Sequence, residues 1–147
     1  MTLACRSATA QQSLALPAQD FFSNVRLTWE NRQLIFYATY KQEGHDASLW
    51  LDCRRGNSPT GQGTRAQIDY LEQYGRGMPI AVRLISLEKS KSGQPVLFLG
   101  QPQPNTLRLQ GSNANCRVEV TDDAGRTDLF AFSLTGTGDL PRISAAK

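Results

Sequence analysis

The sequence predicts one mostly-β domain that carries a single helix. Short apolar–polar alternations recur along the chain, and this period of two is typical of strands with one buried face. Clusters of glycine, proline, asparagine and aspartate separate the alternations, as turns do. The chain has 147 residues, of which 39% are hydrophobic and 20% charged. That composition suits one domain with a buried core and excludes wholesale disorder or a coiled coil.

The first half of the chain predicts three strands after a polar lead-in. Residues 1–20 are rich in glutamine and alanine, and we expect them to be flexible. Beyond them, apolar residues alternate with polar ones, or β-branched and aromatic residues cluster, in three segments. These are residues 25–30, 33–41 and 48–54.

A helix is predicted over residues 64–75. Thr64 and Gln67 have the spacing of a capping box, in which each side chain bonds the other's free backbone amide. Ile68 and Leu71 supply an apolar side, and Gly75 follows as glycines do at helix ends.

The second half predicts further strands and a flexible end. Residues 90–93 form a hairpin loop, and residues 122–126 form a second hairpin turn in which Gly125 tolerates positive φ. The domain is therefore expected over residues 21–135, followed by a flexible tail, 136–147. The strands of this half are 79–89, 95–99, 106–109, 116–121 and 128–134.

Three strands, a helix and a two-strand hairpin follow one another in the order of the OB-fold, a Greek-key barrel. Here the barrel would carry extra C-terminal strands, and a β-sandwich is the alternative. Residues 49–99 also resemble the later half of bacterial single-stranded-DNA-binding proteins and their primosomal relatives. The similarity lies in the Trp-bearing strand, the segment YLEQYG, the strand PIAVRLISLEK, a Lys/Ser/Gly hairpin and an apolar return strand. This resemblance implies a barrel that binds single-stranded nucleic acid.

The alternation also gives candidate binding residues. If the apolar positions face the core, one register presents aromatic and basic side chains together on adjoining strands. Trp50 and Tyr37 would stack bases, and the basic residues would contact phosphates. Surface packing is the alternative role for Trp50. The candidates are Arg26, Tyr37, Lys41, Trp50, Arg54 and Arg83, with Lys89 and Lys91 at the tip of the first hairpin.

The charge is unevenly distributed along the chain. The net charge is +3, and 12 of the 16 basic residues are arginine. Residues 74–118 carry a net charge of +5, between a neutral first part and an acidic end. A basic segment of this size favours phosphate contacts, although lysines in a hairpin also serve solubility.

The function that follows is non-enzymatic binding of single-stranded DNA or RNA. By the resemblance, the chain would be an accessory factor in replication, recombination or mobile-element maintenance, and we expect it to form a homo-oligomer. No cofactor, metal ion or membrane is expected, and the protein partners are unknown. The alternative is a β-sandwich protein-interaction or inhibitor module that is exported. A small enzyme is a third hypothesis, which requires His45 or residues 61–66 to line a pocket.

The three cysteines bear on the compartment. Cys5, Cys53 and Cys116 are odd in number and lack metal-binding spacing. We expect Cys53 and Cys116 to be buried thiols, since both lie in apolar alternations. No export signal or membrane span is visible in the sequence, which predicts a cytoplasmic protein. A Cys53–Cys116 bridge is the alternative, and it would imply export.

Overall fold

A computed structural model describes residues 12–55, 63–99, 106–109, 113–136 and 140–146. Within these ranges the chain forms β-strands and no helix. The strands are β1 (Ser13–Ala15), β2 (Phe22–Glu30), β3 (Gln33–Tyr40), β4 (Gly44–Arg55), β5 (Gly63–Tyr74), β6 (Pro79–Lys89), β7 (Pro95–Leu99), β8 (Thr106–Leu107), β9 (Asn113–Asp122), β10 (Thr127–Thr135) and β11 (Arg142–Ala145).

The strands make two antiparallel sheets. Sheet A has six strands in the order β1-β2-β3-β6-β7-β8, and sheet B has five in the order β11-β10-β9-β4-β5. The chain crosses from sheet A to sheet B after β3 and returns after β5. Consecutive strands such as β2 and β3 pair directly, whereas β4 pairs with the distant β9.

One hydrophobic core lies between the two sheets. The alternation in each strand sends apolar side chains to the inner face, so that Phe36 of β3 and Phe132 of β10 are both fully buried. Aromatic rings join the sheets, since Phe22 and Phe36 each lie within about 6 Å of Phe130. Tilted and edge-on aromatic pairs of this kind add to the stability that burial provides.

Two open sheets over one core are consistent with the β-sandwich alternative, and the described strands do not close into a barrel. The sheets also extend beyond residues 21–135. Strand β1 pairs with β2 inside the segment predicted to be flexible, and β11 pairs with β10 near the C-terminal end.

The predicted helix is wrong, because residues 63–74 form strand β5. The apolar residues of this segment have spacings that fit both the helix period of about 3.6 and the strand period of about two. The neighbouring strand therefore determines which structure forms. Ten residues of β4 face ten residues of β5 in the sheet. Ala66 and Ile68 pack against the core. Pairing with the preceding strand β4 therefore outweighs the local helix signals.

Most other predicted strands are confirmed, two of them with identical bounds. Strands β6 and β7 span 79–89 and 95–99, as the sequence predicts. Both hairpin turns form, with Gly93 at φ 83° and Gly125 at φ 86°. These turns could be predicted because their signal is local: only glycine adopts positive φ at no steric cost.

The expectation of buried free thiols at Cys53 and Cys116 is also wrong. The two residues lie directly opposite each other on β4 and β9, and their Sγ atoms form a disulfide. The bridge joins positions 63 residues apart in sequence. Closing a loop of that length in the unfolded chain stabilises a fold by about 4 kcal/mol in the chain-entropy model.

Candidate functional site

The structure divides the predicted binding residues between the outer faces of the two sheets. Arg26, Tyr37 and Arg83 lie on strands of sheet A. Trp50 and Arg54 lie on β4, in sheet B. The outward direction of Arg26, Tyr37, Trp50 and Arg83 agrees with the alternation, because both neighbours of each are buried, and Arg54 is itself exposed. However, these five residues lie on two different sheets and do not form one continuous surface.

On sheet A, Tyr37 is held by its own neighbours. The guanidinium of Arg26, directly opposite in the sheet, lies 4.3 Å from the centre of the Tyr37 ring. The Tyr37 hydroxyl donates a hydrogen bond to Glu30 at 2.5 Å. That bond raises the pKa of Tyr37 above its ordinary value, with burial adding to the effect. One face of the ring is therefore occupied from within the chain.

The three predicted lysines lie away from both aromatic residues. Lys41 follows β3, and its Nζ donates to the backbone oxygen of Gln19 at 2.9 Å. Lys89 ends β6 and Lys91 lies in the hairpin turn that follows. The structure therefore does not bring these lysines together with Trp50 or Tyr37.

A denser cluster lies on the outer face of sheet B, across the strands β5, β4 and β9. We call it the guanidinium face, and it comprises Trp50, Asp52, Arg54, Arg65, Arg117 and Glu119. The strand register creates it, because Asp52 lies opposite Arg65 on one side and Arg117 on the other. In the adjoining row, Trp50 lies opposite Glu119.

Asp52 is the centre of the guanidinium face. Only 7% of this residue is exposed. Its carboxylate lies 3.8 Å from Arg54, 3.5 Å from Arg65 and 3.7 Å from Arg117. A carboxylate with little access to water needs such compensation, and three guanidinium groups supply it.

Glu119 completes the charge pairs. It lies 2.8 Å from Arg65 and 3.2 Å from Arg117. The hydrogen bond from Arg65 lowers the pKa of Glu119, which outweighs the opposite effect of burial. The same bond raises the pKa of Arg65. The face thus combines three arginines with two carboxylates and carries one excess positive charge.

Apolar surface adjoins these charges. The Arg65 guanidinium lies 4.6 Å from the centre of the half-buried Trp50 ring. Leu129 of β10 is 44% exposed and lies opposite Glu119 in the register. Trp50, Glu119 and Leu129 therefore form one row across three strands. Arginine, an aromatic ring and an apolar side chain are the groups that protein interfaces favour.

Sequence reasoning missed four members of this face. The sequence predicts Arg65 within the helix that does not form, and it predicts no binding role for Asp52, Arg117 or Glu119. The alternation of 116–121 predicts that Arg117 and Glu119 point outward together. The alternation does not predict which strands are neighbours, and it therefore does not predict that β9 lies beside β4.

His45 lines an open cavity of about 380 Å³ at one end of the two sheets. The side chains around it include Glu43, Gln73, Tyr74 and Met78. Among the described residues that line this cavity, none is a serine or a cysteine. Part of the other enzyme candidate, residues 61–66, lies outside the described residues, and its last four residues begin β5.

Comparison with protein-family models, curated proteins and solved structures finds no match to this chain. The resemblance to single-stranded-DNA-binding proteins therefore stays a prediction. None of the described segments is a helix long and apolar enough to cross a membrane.

Proposed function

We propose that this chain is a non-catalytic β-sandwich module of an oxidising compartment, and that its guanidinium face binds an acidic protein surface. The guanidinium face carries the proposal. The Cys53–Cys116 disulfide supports the compartment, because such bridges persist outside the reducing cytoplasm. The sequence-based expectation of a cytoplasmic protein is thereby replaced in this proposal by the exported alternative.

The chemistry of the face favours a partner that brings carboxylates and an apolar contact. The excess positive charge attracts acidic groups, and arginine binds carboxylates through two parallel hydrogen bonds. Arg54 and Arg117 are both 46% exposed at the side chain, so each has surface left for a partner. Trp50 and the exposed Leu129 add the apolar component.

Protein binding is favoured over nucleic-acid binding by the state of the aromatic rings. Bases stack on flat side chains whose faces are open. Here Arg26 covers one face of Tyr37 and Arg65 covers one face of Trp50. Moreover, Tyr37 and Trp50 belong to different sheets, so a short strand of nucleic acid lying on one face would not contact both.

A photo-crosslinking experiment tests the proposed function. A benzophenone amino acid replaces Leu129, and the protein is irradiated in its native host. We expect a covalent adduct with a protein, and we expect Arg54→Glu to reduce it about tenfold, the effect of losing one charge-assisted contact. Arg83→Glu is the matched control, since it reverses an exposed strand arginine on the other sheet.

Two results would refute the proposal. One is an adduct that forms equally well with Arg54→Glu and Arg83→Glu. The other is a titration with oligo-dT at low salt that quenches tryptophan fluorescence and weakens steeply as salt is added, because such behaviour indicates nucleic-acid binding.

A further inference from the structure

The four edge strands of the two sheets differ greatly in length. Sheet A ends in β1 and β8, which have three and two residues. Sheet B ends in β11, with four residues, and in β5, with 12 residues. A long edge strand presents a row of backbone N–H and C=O groups and is therefore a template for another strand. Of the described edges, β5 is the only one long enough for extensive pairing.

The opposite edge of sheet B is protected by two glutamine side chains. The Gln12 amide donates to the Pro141 oxygen at 2.9 Å and accepts from the Ile143 nitrogen at 2.7 Å. The Gln19 amide donates to the Leu129 backbone oxygen at 2.5 Å and accepts from the Leu129 backbone nitrogen at 2.9 Å. Each amide thus occupies the place that a neighbouring strand would take.

Strand β5 lacks two of the residue types that prevent edge pairing. Its sequence, GTRAQIDYLEQY, contains neither proline nor lysine. Among the described strands, β5 pairs with β4 alone, on the side away from the edge. The contrast with the glutamine-protected edge indicates that β5 is the side of the molecule suited to receive a strand.

The sequence of β5 is complementary to itself. In an antiparallel pair of two copies, a two-fold axis between positions 68 and 69 sets Arg65 of one copy opposite Glu72 of the other. Two-fold symmetry repeats this charge pair on the other side of the axis. Both Arg65 and Glu72 are exposed, and in the dimer the Arg65 guanidinium would turn from Glu119 of its own chain to Glu72 of the other. Opposite charges directly across a strand pair stabilise it.

One irregularity of β5 fits this register. Leu49 of β4 faces Asp69, whereas Trp50 faces Gln67, so Ile68 is an extra residue in β5. Because side chains alternate along a strand, this extra residue brings Arg65 and Glu72 into phase on one face of the sheet. Ile68 also lies beside the two-fold axis, so the residues on either side of it keep a regular alternation of faces.

We propose that the chain forms a homodimer in which the β5 edges of two copies pair antiparallel, with Arg65 of each copy opposite Glu72 of the other. The two five-stranded sheets then join into one continuous sheet. Their guanidinium faces become neighbours on the same side of it. The dimer does not depend on the protein-binding function, so the two proposals can fail separately.

Charge reversal with complementation tests the dimer. We measure molar mass by light scattering and sedimentation at protein concentrations up to about 100 µM, where weak dimers are populated. We expect a wild-type dimer, and we expect Glu72→Lys and Arg65→Glu each to weaken it about tenfold, because two attractive pairs become repulsive. Glu88→Lys, at an exposed position on sheet A, is the control of equal charge change and should leave the dimer intact.

The mixture of the two variants is the decisive sample. A Glu72→Lys chain and an Arg65→Glu chain restore both attractive pairs between them, so the mixture should form a heterodimer although each variant alone is weakened. Thermal melting of each variant shows that the monomers are folded. A monomeric wild type, an undiminished Glu72→Lys dimer, or a mixture that associates no better than its components would overturn the proposal.

Discussion

At the scale of single residues, the buried carboxylates Asp128 and Asp122 have pKa values that are shifted in opposite directions. Asp128 is 1% exposed and accepts bonds from the backbone nitrogens of Asp20 and Phe21, at 3.0 and 2.8 Å. Burial raises the pKa of Asp128 even though these bonds act in the other direction. The residue therefore fixes the chain that leads into β2, while its charge is costly to bury.

Asp122 is buried too, but its pKa is shifted in the opposite direction. Burial alone would raise the pKa of Asp122, yet hydrogen bonds from the backbone and guanidinium of Arg126 lower it below the ordinary value, and Ala124 adds a further bond. A carboxylate whose pKa falls on folding stabilises the fold above its ordinary pKa, and that contribution is lost as the pH falls through the folded value.

Because the pKa of Asp122 is lowered on folding, we expect Asp122→Asn to change the stability of the protein in a way that depends on pH. The amide keeps one oxygen for the turn but loses the charge that binds Arg126. We expect the variant to unfold at lower urea concentration than the wild type at about pH 7, and the difference to shrink at an acidic pH below the ordinary value of 3.8, as the wild-type carboxyl approaches its lowered folded pKa. Urea unfolding at both values measures it, and a difference that is constant with pH would contradict the assignment.

At the scale of elements, the sequence predicts what is determined locally. Strand β6 needs only its own alternation and the turn beside it, and its predicted bounds are those observed. Strand β5 needs β4 beside it, and nothing in residues 64–75 encodes that neighbour. The same limit explains the candidate site: alternation predicts that Trp50 and Tyr37 point outward, whereas only the topology places them on different sheets.

The packing between β4 and the end of β5 gives a prediction at this scale. Tyr74 is 3% exposed and stacks on Tyr40 with ring centres 4.6 Å apart. A Cβ atom added at Gly44 would overlap the Tyr74 ring. We expect Gly44→Ala to destabilise the protein by about 1–3 kcal/mol, because the stacked ring must move.

Gly75→Ala is the control for this substitution, and urea unfolding is the measurement. A Cβ atom at Gly75 would come 3.0 Å from the sulfur of Met78, which is 49% exposed and has room to move. We therefore expect a smaller loss for Gly75→Ala than for Gly44→Ala. Equal losses for the two variants would mean that the Tyr74 ring does not pack against Gly44.

At the scale of the whole molecule, the net charge of +3 says little about binding. The basic residues of the +5 segment do not form one patch: Arg83 lies on sheet A, Arg117 on the guanidinium face, and Lys91 in the hairpin turn. The arginines that do cluster come from the consecutive strands β4 and β5 and from β9, which is far from both in sequence. Sheet topology, rather than composition, creates the candidate interface.

The covalent bond between β4 and β9 links the fold to the proposed function. It joins the two strands that carry Asp52, Arg117 and Glu119, and so holds the guanidinium face together from the core side. It also provides the physical argument for an oxidising compartment. Both the geometry of the guanidinium face and the proposed compartment therefore depend on whether Cys53 and Cys116 are bonded.

A thiol count measures this directly. Protein purified without reductant is denatured, alkylated and weighed by mass spectrometry, and the alkylated positions are mapped in its peptides. We expect a single alkylated cysteine, Cys5, together with one linked peptide that contains Cys53 and Cys116. Alkylation of all three cysteines would contradict it.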